Sequence, residues 1–388
     1  MSFPLVYYQI VAFLSEGFPH LRPSQQRGLA LWVWGLLQAQ RGTETAVAVA
    51  LSAWGGSFET LRQRLREWLY DGADKAAPCK TQVEVEACFA PLFAWVLAHW
   101  RGTEVPLAVD ATLQGDRLVA LVVSLLYRGS AIPLAWKILP AHREGAWLEP
   151  LGGLLAALAP ALPPGKTVYV MADRGLWSPK LWRAIRAAGM HPMMRVQKAI
   201  LFQPTGGKKG PAARLIGGPG HAWVGAGKAF KERRLSATLI VLWVPQAKEP
   251  CLVLTDLPPK EAPVGGYGLR MWIELGFRCL KSVGWDWEKT RRTDPERVAR
   301  HWLAMAVATA WAAVTGSGGE AEEEARRQAQ GRAAPTVGRK VSLFRRGLAL
   351  LQRQLYEGRV APWPPFLPEP WPDLSSRVQI QYHQPTLC

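Results

Sequence analysis

Cysteine and histidine are scarce in this sequence, and neither is grouped. The five cysteines are scattered without a CxxC pair, their number is odd, and only seven histidines occur among 388 residues. This usage is typical of a reducing cytosol and argues against a zinc site or a disulfide framework. A metal site in this chain would be expected to use oxygen ligands.

Long hydrophobic runs are missing as well. The longest, residues 302–314, contains 13 residues, whereas a membrane-spanning helix needs about 17–25. The N-terminus shows neither the basic region nor the cleavage site of a signal peptide. We therefore expect a cytoplasmic protein that has no membrane partner.

Acidic residues are few relative to basic residues. The chain has 47 Lys and Arg against 30 Asp and Glu, which gives a net charge of +17 and an isoelectric point near 10. Such an excess is typical of proteins that bind a polyanion, and nucleic acid is the partner that we expect. A hydrophobic content of 49% with 19 Trp nevertheless indicates a folded chain, and its length favours two or three domains.

Residues 1–75 are predicted to form a helical DNA-binding domain. Three helices are expected in it, beginning at Pro23 with Ser24 as a plausible N-cap, at Thr43, and after a capping Ser57. The third helix keeps its apolar residues on one face, and its arginines, among them Arg62 and Arg66, lie off that face. A basic last helix suits a helix-turn-helix-like reader of DNA, whereas a helical bundle with solvated arginines is the alternative. Residues 76–104 follow as a linker and a further helix.

The hydrophobic period changes near residue 105 and predicts a mixed α/β segment. Residues 105–197 have the order β-β-β-α-β-α-β, which implies a mixed sheet. Asp110 interrupts the first apolar strand, and Asp173 stands at the end of the fourth. A buried aspartate is rare unless it is paired or binds a metal ion, although Asp173 could also be a simple turn former.

Residues 198–262 interrupt this alternation and are predicted to form a β-rich, basic insertion. Residues 198–234 contain eight basic residues and a single acidic residue, Glu232. Such a surface is expected to contact DNA phosphates with little sequence preference. The basic side chains for which we predict such contacts are Lys208, Lys209, Lys231, Arg233 and Arg234.

A third carboxylate lies in the stretch YGLRMWIELGFRCLK at residues 267–281. An α-helix would place Tyr267, Arg270, Glu274, Arg278 and Lys281 in one stripe about 80° wide, with apolar residues nearly all round the rest. We expect this helix to be buried except along that stripe. A solvated ladder of i,i+4 ion pairs is the alternative interpretation.

The α/β segment is expected to continue through residues 263–315, which end in a helix from residue 294 to about residue 314. Residues 316–388 are predicted to form an acidic linker, a basic amphipathic helix and a Pro-rich, irregular tail. The linker prediction depends on the sequence GSGGEAEEE at residues 316–324.

Asp110, Asp173 and Glu274 together suggest a metal centre. Neighbouring carboxylates repel each other unless a cation neutralises them, and oxygen ligands favour Mg²⁺ or Mn²⁺. Two such ions about 4 Å apart can promote phosphodiester displacement. Arg270 and Lys281 flank Glu274 on the same stripe and would then hold the phosphates.

Tyr267, Arg270, Glu274 and Lys281 match the pattern Y-x2-R-x3-E-x6-K, while VDAT at Asp110 and ADRG at Asp173 resemble two acidic motifs. In these motifs the chain resembles insertion-sequence DDE transposases of the YREK kind, the IS-four-type family, over roughly residues 105–315. The resemblance implies an RNase H-like catalytic core with an inserted β-rich domain, between helical N- and C-terminal segments, in a mixed α+β fold. It also implies that the three acids are the catalytic metal ligands and that Tyr267, Arg270 and Lys281 contact phosphates near the cut end.

The same resemblance implies the partners. We expect double-stranded DNA, both terminal inverted repeats and target, a homodimer on that DNA, two Mg²⁺ or Mn²⁺ ions, and a bacterial, nucleoid-associated protein. Because related enzymes stack an extruded base on an aromatic side chain, Trp223 or Trp243 could do so here, although a tryptophan is more often part of the core. A two-metal nuclease or resolvase on the same core, or a DNA-binding protein that no longer cuts, are the alternatives.

Overall fold

The computed structural model describes residues 3–75, 81–141, 147–232, 234–332 and 339–383. The N-terminal helices are α1 (Leu5–Gly17), α2 (Pro23–Ala39), α3 (Glu44–Ser52) and α4 (Phe58–Leu69). The Ser57 hydroxyl caps α4 by accepting a hydrogen bond from the Thr60 amide at 3.2 Å, as the sequence predicts. The N-cap of α2 is Arg22 rather than Ser24, because Pro23 already stands at the first helical position. Helix α1 is additional to the three helices expected here.

The α/β segment follows the predicted order of elements. The helix predicted within residues 76–104 is α5 (Phe89–His99). The members of the α/β segment are β1 (Glu104–Gln114), β2 (Leu118–Tyr127), β3 (Ser130–Pro140), α6 (Leu148–Leu158), β4 (Thr167–Ala172), α7 (Pro179–Ala187) and β5 (His191–Val196). The strands lie in the order β3-β2-β1-β4-β5. Strands β1, β2 and β3 are antiparallel neighbours, whereas β1, β4 and β5 are parallel. This mixed sheet has the strand order of an RNase H-like core, and the predicted mixed α+β fold class is confirmed.

The insertion extends this sheet instead of forming a separate one. Its strands are β6 (Leu201–Pro204), β7 (Gly210–Pro211), β8 (His221–Ala229), β9 (Leu235–Trp243) and β10 (Cys251–Thr255). Strand β10 pairs antiparallel with β5, β9 pairs with β10, and β8 pairs with β9. The basic insertion is therefore joined to the core sheet by continuous backbone hydrogen bonding.

The stretch predicted as one α-helix is helical from Gly266 to Val283, but only its middle is α-helical. A 3₁₀ turn forms Gly266–Met271, α8 spans Trp272–Arg278, and a π turn forms Cys279–Val283. Gly276 lets α8 approach β3, because a Cβ there would lie 2.7 Å from the Cβ of Ala131. This close approach fixes the height of Glu274 above the sheet.

The predicted acidic linker is wrong. Helix α9 (Pro295–Ala329) runs through residues 316–324, and α10 (Leu343–Tyr356) packs against it. The glycines that suggest a flexible segment are needed for this contact, since a Cβ on Gly316 would lie 2.0 Å from the Leu343 carbonyl oxygen. The acidic residues are also held in ion pairs, for example Glu320 with Arg128 at 2.8 Å.

The tail beyond α10 is not irregular throughout. It crosses the core, where Trp363 stacks on Trp95 with ring centroids 4.1 Å apart. It then ends in β11 (Gln379–Tyr382), which pairs parallel with β8 of the insertion. Within the described ranges, no helix is long and apolar enough to cross a membrane.

Candidate active site

Asp110 and Asp173 occupy neighbouring positions on adjacent parallel strands. Val109 of β1 pairs with Ala172 of β4, and each of these two residues is followed directly in sequence by one of the aspartates. Asp110 lies within β1, while Asp173 follows the last residue of β4 and precedes a 3₁₀ turn. Neighbouring strands are about 4.8 Å apart, and the two carboxylates therefore arise side by side although 63 residues separate them in sequence.

Glu274 reaches the same region from α8, and Arg270 connects it to Asp110. The Nη2 of Arg270 donates a hydrogen bond to Oδ2 of Asp110 at 2.5 Å, and its Nη1 lies 3.7 Å from Oε1 of Glu274. The second contact is the i,i+4 pair of the ladder interpretation, whereas the first joins the 3₁₀ turn before α8 to the sheet. The ladder alone does not describe this helix, because its arginine is shared with a strand.

The electrostatics of Asp110 reflect the same clustering. Burial raises the pKa of its carboxyl group to about 6, against the lowering effect of Arg270 and of the Ala111 amide. The charges of Glu274 and Asp173 raise it further. Both other acids therefore lie close enough to Asp110 to act on its charge.

The exposed face of the helical stretch from Gly266 to Val283 differs from the predicted one. Arg270 is only 9% exposed, whereas Met271 is 61% and Leu275 is 41% exposed. The expectation that the polar stripe alone would face solvent is therefore wrong. The stripe is divided: Arg270 points inward to Asp110, and Glu274 shares the open face with two apolar side chains.

The donor set has the chemistry that a hard divalent cation prefers, because the carboxylates from β1, from the residue after β4 and from α8 are all oxygen ligands and act on one another's charge. Within the described parts of the chain, no group of three His, Cys, Asp or Glu side chains has a geometry that could hold a metal ion. The positive charge between Asp110 and Glu274 is instead the guanidinium of Arg270. The carboxylates thus have the required chemistry but are drawn toward an internal cation.

Residues 145–311 match the family model of the transposase DDE domain. The matched segment is 167 of the 388 residues, and over it the chain is similar to the transposase DDE domain. The protein is a DNA transposase, and transposases with this domain carry out metal-dependent DNA cleavage and strand transfer with divalent metal ions. The match includes Asp173 and Glu274 and begins after Asp110.

No curated protein matches the sequence. Among solved structures, a piggyBac transposase synaptic complex with hairpin DNA, determined by cryo-EM, is similar at a TM-score of 0.41 and 10% identity. The similar region covers 89% of this chain and 76% of that chain.

Two other residues of the Y-x2-R-x3-E-x6-K pattern surround the transposase site. The Tyr267 hydroxyl donates a hydrogen bond to the Ala172 carbonyl oxygen at 3.1 Å, next to Asp173, and burial raises its pKa. Lys281 lies 3.2 Å from Glu288. Tyr267 thus braces the end of β4, while Lys281 lies one turn beyond α8.

Sequence reasoning missed Arg195 of β5. Its Nη1 lies 3.9 Å from Oδ1 of Asp173, and its Nη2 lies 3.5 Å from Glu249. The available signal was the same as for Asp110, a charged residue inside a short apolar strand. Arg195 is half-buried and places a second cation beside the carboxylates.

The other predicted DNA contacts lie on α4 and on the insertion. Arg62 and Arg66 both lie near Glu44, at 3.8 and 3.0 Å. On the insertion, the predicted contacts Lys208, Lys209, Lys231 and Arg234 are all exposed. Arg233 lies outside the described residues.

The two tryptophans of the insertion differ in exposure. Trp223 is 4% exposed and packs edge-on against Phe202. Trp243 is half-buried, and its indole N–H donates to the Ala247 carbonyl oxygen at 2.9 Å. Trp243 therefore has the more accessible ring.

Proposed function

We propose that this transposase belongs to an insertion sequence of the YREK kind and that Asp110, Asp173 and Glu274 are its catalytic carboxylates. The observation that supports this most strongly is the register of β1 and β4, which brings Asp110 and Asp173 side by side. Arg270 adds Glu274 to the pair through its contacts with two of the three acids.

The three carboxylates would together hold the divalent cations. Two Mg²⁺ or Mn²⁺ ions held there would supply charge that favours attack on the phosphodiester and departure of the leaving oxygen. Asp110 and Asp173 are held by the sheet, whereas Glu274 comes from α8, which packs on β3. The sheet thus positions two of the carboxylates, and α8 positions the third.

The substrate would be the terminal inverted repeats of the element and a target duplex. Tyr267, Arg270 and Lys281 lie around the carboxylates and would contact phosphates near the cut. Exposed lysines of the insertion would hold flanking DNA, and the basic helix α4 would read the ends. A homodimer on DNA would pair two ends, and Trp243 is the better-placed ring for stacking on an unstacked base.

Cleavage of terminal-repeat DNA by carboxylate variants tests this proposal. Asp110→Asn, Asp173→Asn and Glu274→Gln keep the shape of each side chain but remove a ligand charge. Cleavage in Mg²⁺ or Mn²⁺ should fall by at least about 100-fold for each variant. DNA affinity, measured by gel shift in EDTA, should hold or rise, since phosphate binding depends on Lys and Arg.

Asp256→Asn is the matched control. Asp256 also follows the end of a strand, β10, and also pairs with an arginine, Arg186 at 3.1 Å. Its variant should cleave at a rate near that of the wild type. Near-normal cleavage by the Glu274→Gln protein would reject the catalytic role of Glu274.

A further inference from the structure

Arg270 is placed unusually for a residue whose expected role is to contact DNA. Its side chain is 11% exposed, and it lies between a strand carboxylate and a helix carboxylate, Asp110 and Glu274. Its buried Nε has no acceptor among the described residues. Buried guanidinium groups are normally satisfied at all of their donors, and this one instead places its two terminal nitrogens on the two acids.

We propose that, in the DNA-free transposase, Arg270 is the internal counter-cation of Asp110 and Glu274, and that divalent metal and DNA binding are coupled through its release. This inference rests on the proposed function, because it requires Asp110 and Glu274 to be metal ligands. It adds a positioning role for Arg270 that is distinct from its contact with the DNA phosphates.

The coupling follows from charge. A guanidinium group in a protein does not lose its proton, so Arg270 cannot yield the position by deprotonation. A divalent ion entering beside it would meet a like charge at a few ångströms in a partly buried site, where charges are weakly screened. The ion can bind tightly only after the side chain has moved.

DNA supplies a reason for that movement. A phosphate accepts hydrogen bonds from the fork of an arginine in two places at once, as a carboxylate does. Once the guanidinium turns to a phosphate, the carboxylates lose their internal partner and favour a metal ion. By linkage, DNA must then raise metal affinity by the same factor by which metal raises DNA affinity.

The geometry also requires arginine rather than lysine. The two terminal nitrogens of Arg270 contact different carboxylates, Nη2 with Asp110 and Nη1 with Glu274. A lysine ammonium is a single point of charge and cannot reproduce this span. Arg270→Lys therefore keeps the charge but weakens the bridge.

Mn²⁺ titration followed by electron paramagnetic resonance tests the proposal without an activity assay. Without DNA, Arg270→Gln should bind Mn²⁺ at least about tenfold more tightly than the wild type, and Arg270→Lys should fall between them. Addition of terminal-repeat DNA should raise the Mn²⁺ affinity of the wild type by a similar factor, whereas it should raise the Mn²⁺ affinity of Arg270→Gln only a little. The Glu274→Gln protein on the same DNA gives the background from ions bound to the duplex.

Arg278→Gln is the matched control, because Arg278 is exposed on the same helix and carries the same charge. Its Mn²⁺ affinity should remain within about twofold of the wild type, since exposed charges are screened. Equal Mn²⁺ affinity of the wild type and Arg270→Gln without DNA would overturn the proposed role of Arg270 as a counter-cation, but it would not overturn the proposed function. If Arg270→Gln does not fold, Arg270→Lys and the wild type with and without DNA decide the same question.

A different result would overturn the proposed function itself. If the wild type on terminal-repeat DNA bound no more Mn²⁺ than the Glu274→Gln background, the carboxylates would not be metal ligands. The two failures are thus distinguishable, because the first shows tight metal binding that is independent of Arg270 and the second shows none.

Discussion

At the scale of single residues, the transposase buries several charged and polar groups, and each of them depends on its hydrogen-bond or ion-pair partners to remain stable there. Arg270 is an example in the site, and Arg300 is another in the core, where it donates to the Leu69 carbonyl oxygen at 2.7 Å and pairs with Asp71 at 2.7 Å. The sequence predicts Asp110, Asp173 and Glu274 because acids are rare in apolar strands and helices. It cannot predict the burial of Arg270, since its partner Asp110 lies 160 residues away.

His301 is a buried polar residue with a predictable effect on stability. It is fully buried, neither ring nitrogen has a partner among the described residues, and its ring lies 4.7 Å from that of Trp32. Burial, reinforced by the nearby Arg292 charge, holds its pKa well below the ordinary value. The unfolded chain therefore takes up a proton below about pH 6.5 that the folded chain does not.

The free energy of unfolding should consequently fall as the pH falls below about 6.5. Between pH 7.0 and 5.5 this one group should lower it by about 1 kcal/mol. His301→Phe, which keeps a ring in the core, should remove that part of the pH dependence in urea denaturation at the two pH values. Replacement of the exposed His221 by Gln serves as the control, and an unchanged slope in His301→Phe would contradict the assignment.

At the scale of elements, strands were predicted better than long-range packing. The bounds of β4 and β5 follow from short apolar runs between turns, and Ser57 predicts the start of α4 because its hydroxyl caps the first turn. Helix α9 was predicted too short, since residues 316–324 have the composition of a linker. Their helical state depends on α10 and on arginines that are distant in the sequence, which leave no local signal.

The crossing of α9 and α10 gives a test of this explanation. A Cβ on Gly347 would lie 1.7 Å from the Ala312 carbonyl oxygen, and backbone cannot yield as a side chain can. Gly347→Ala should therefore lower the free energy of unfolding by about 3 kcal/mol or more in urea denaturation.

Gly153→Ala in α6 is the matched control for this substitution. A Cβ there meets nothing within 4 Å, so the alanine should stabilise the helix by up to about 1 kcal/mol. Equal stability of the two variants would show that the helices are not in backbone contact at Gly347.

At the scale of the whole molecule, the predicted segments share one hydrophobic core. Phe13 of α1 packs on Trp311 of α9 with ring centroids 4.7 Å apart, and Trp32 of α2 packs on His301. The insertion is joined by the pairing of β10 with β5, and the tail reaches β8. Such contacts between distant segments cannot be read from local periodicity, and they mean that end recognition is better tested by surface variants than by removing residues 1–75.

The central claim is that Asp110, Asp173 and Glu274 converge on bound metal, and cleavage of the protein by Fe²⁺ measures this most directly. Fe²⁺ replaces Mg²⁺ on the wild type bound to terminal-repeat DNA, and ascorbate with peroxide then generates radicals that cut the backbone close to the ion. Fragments should end near residues 110, 173 and 274, excess Mg²⁺ should suppress them, and Glu274→Gln should lose them. Cuts near only one of these residues, or cuts that persist in Glu274→Gln, would contradict a shared metal site.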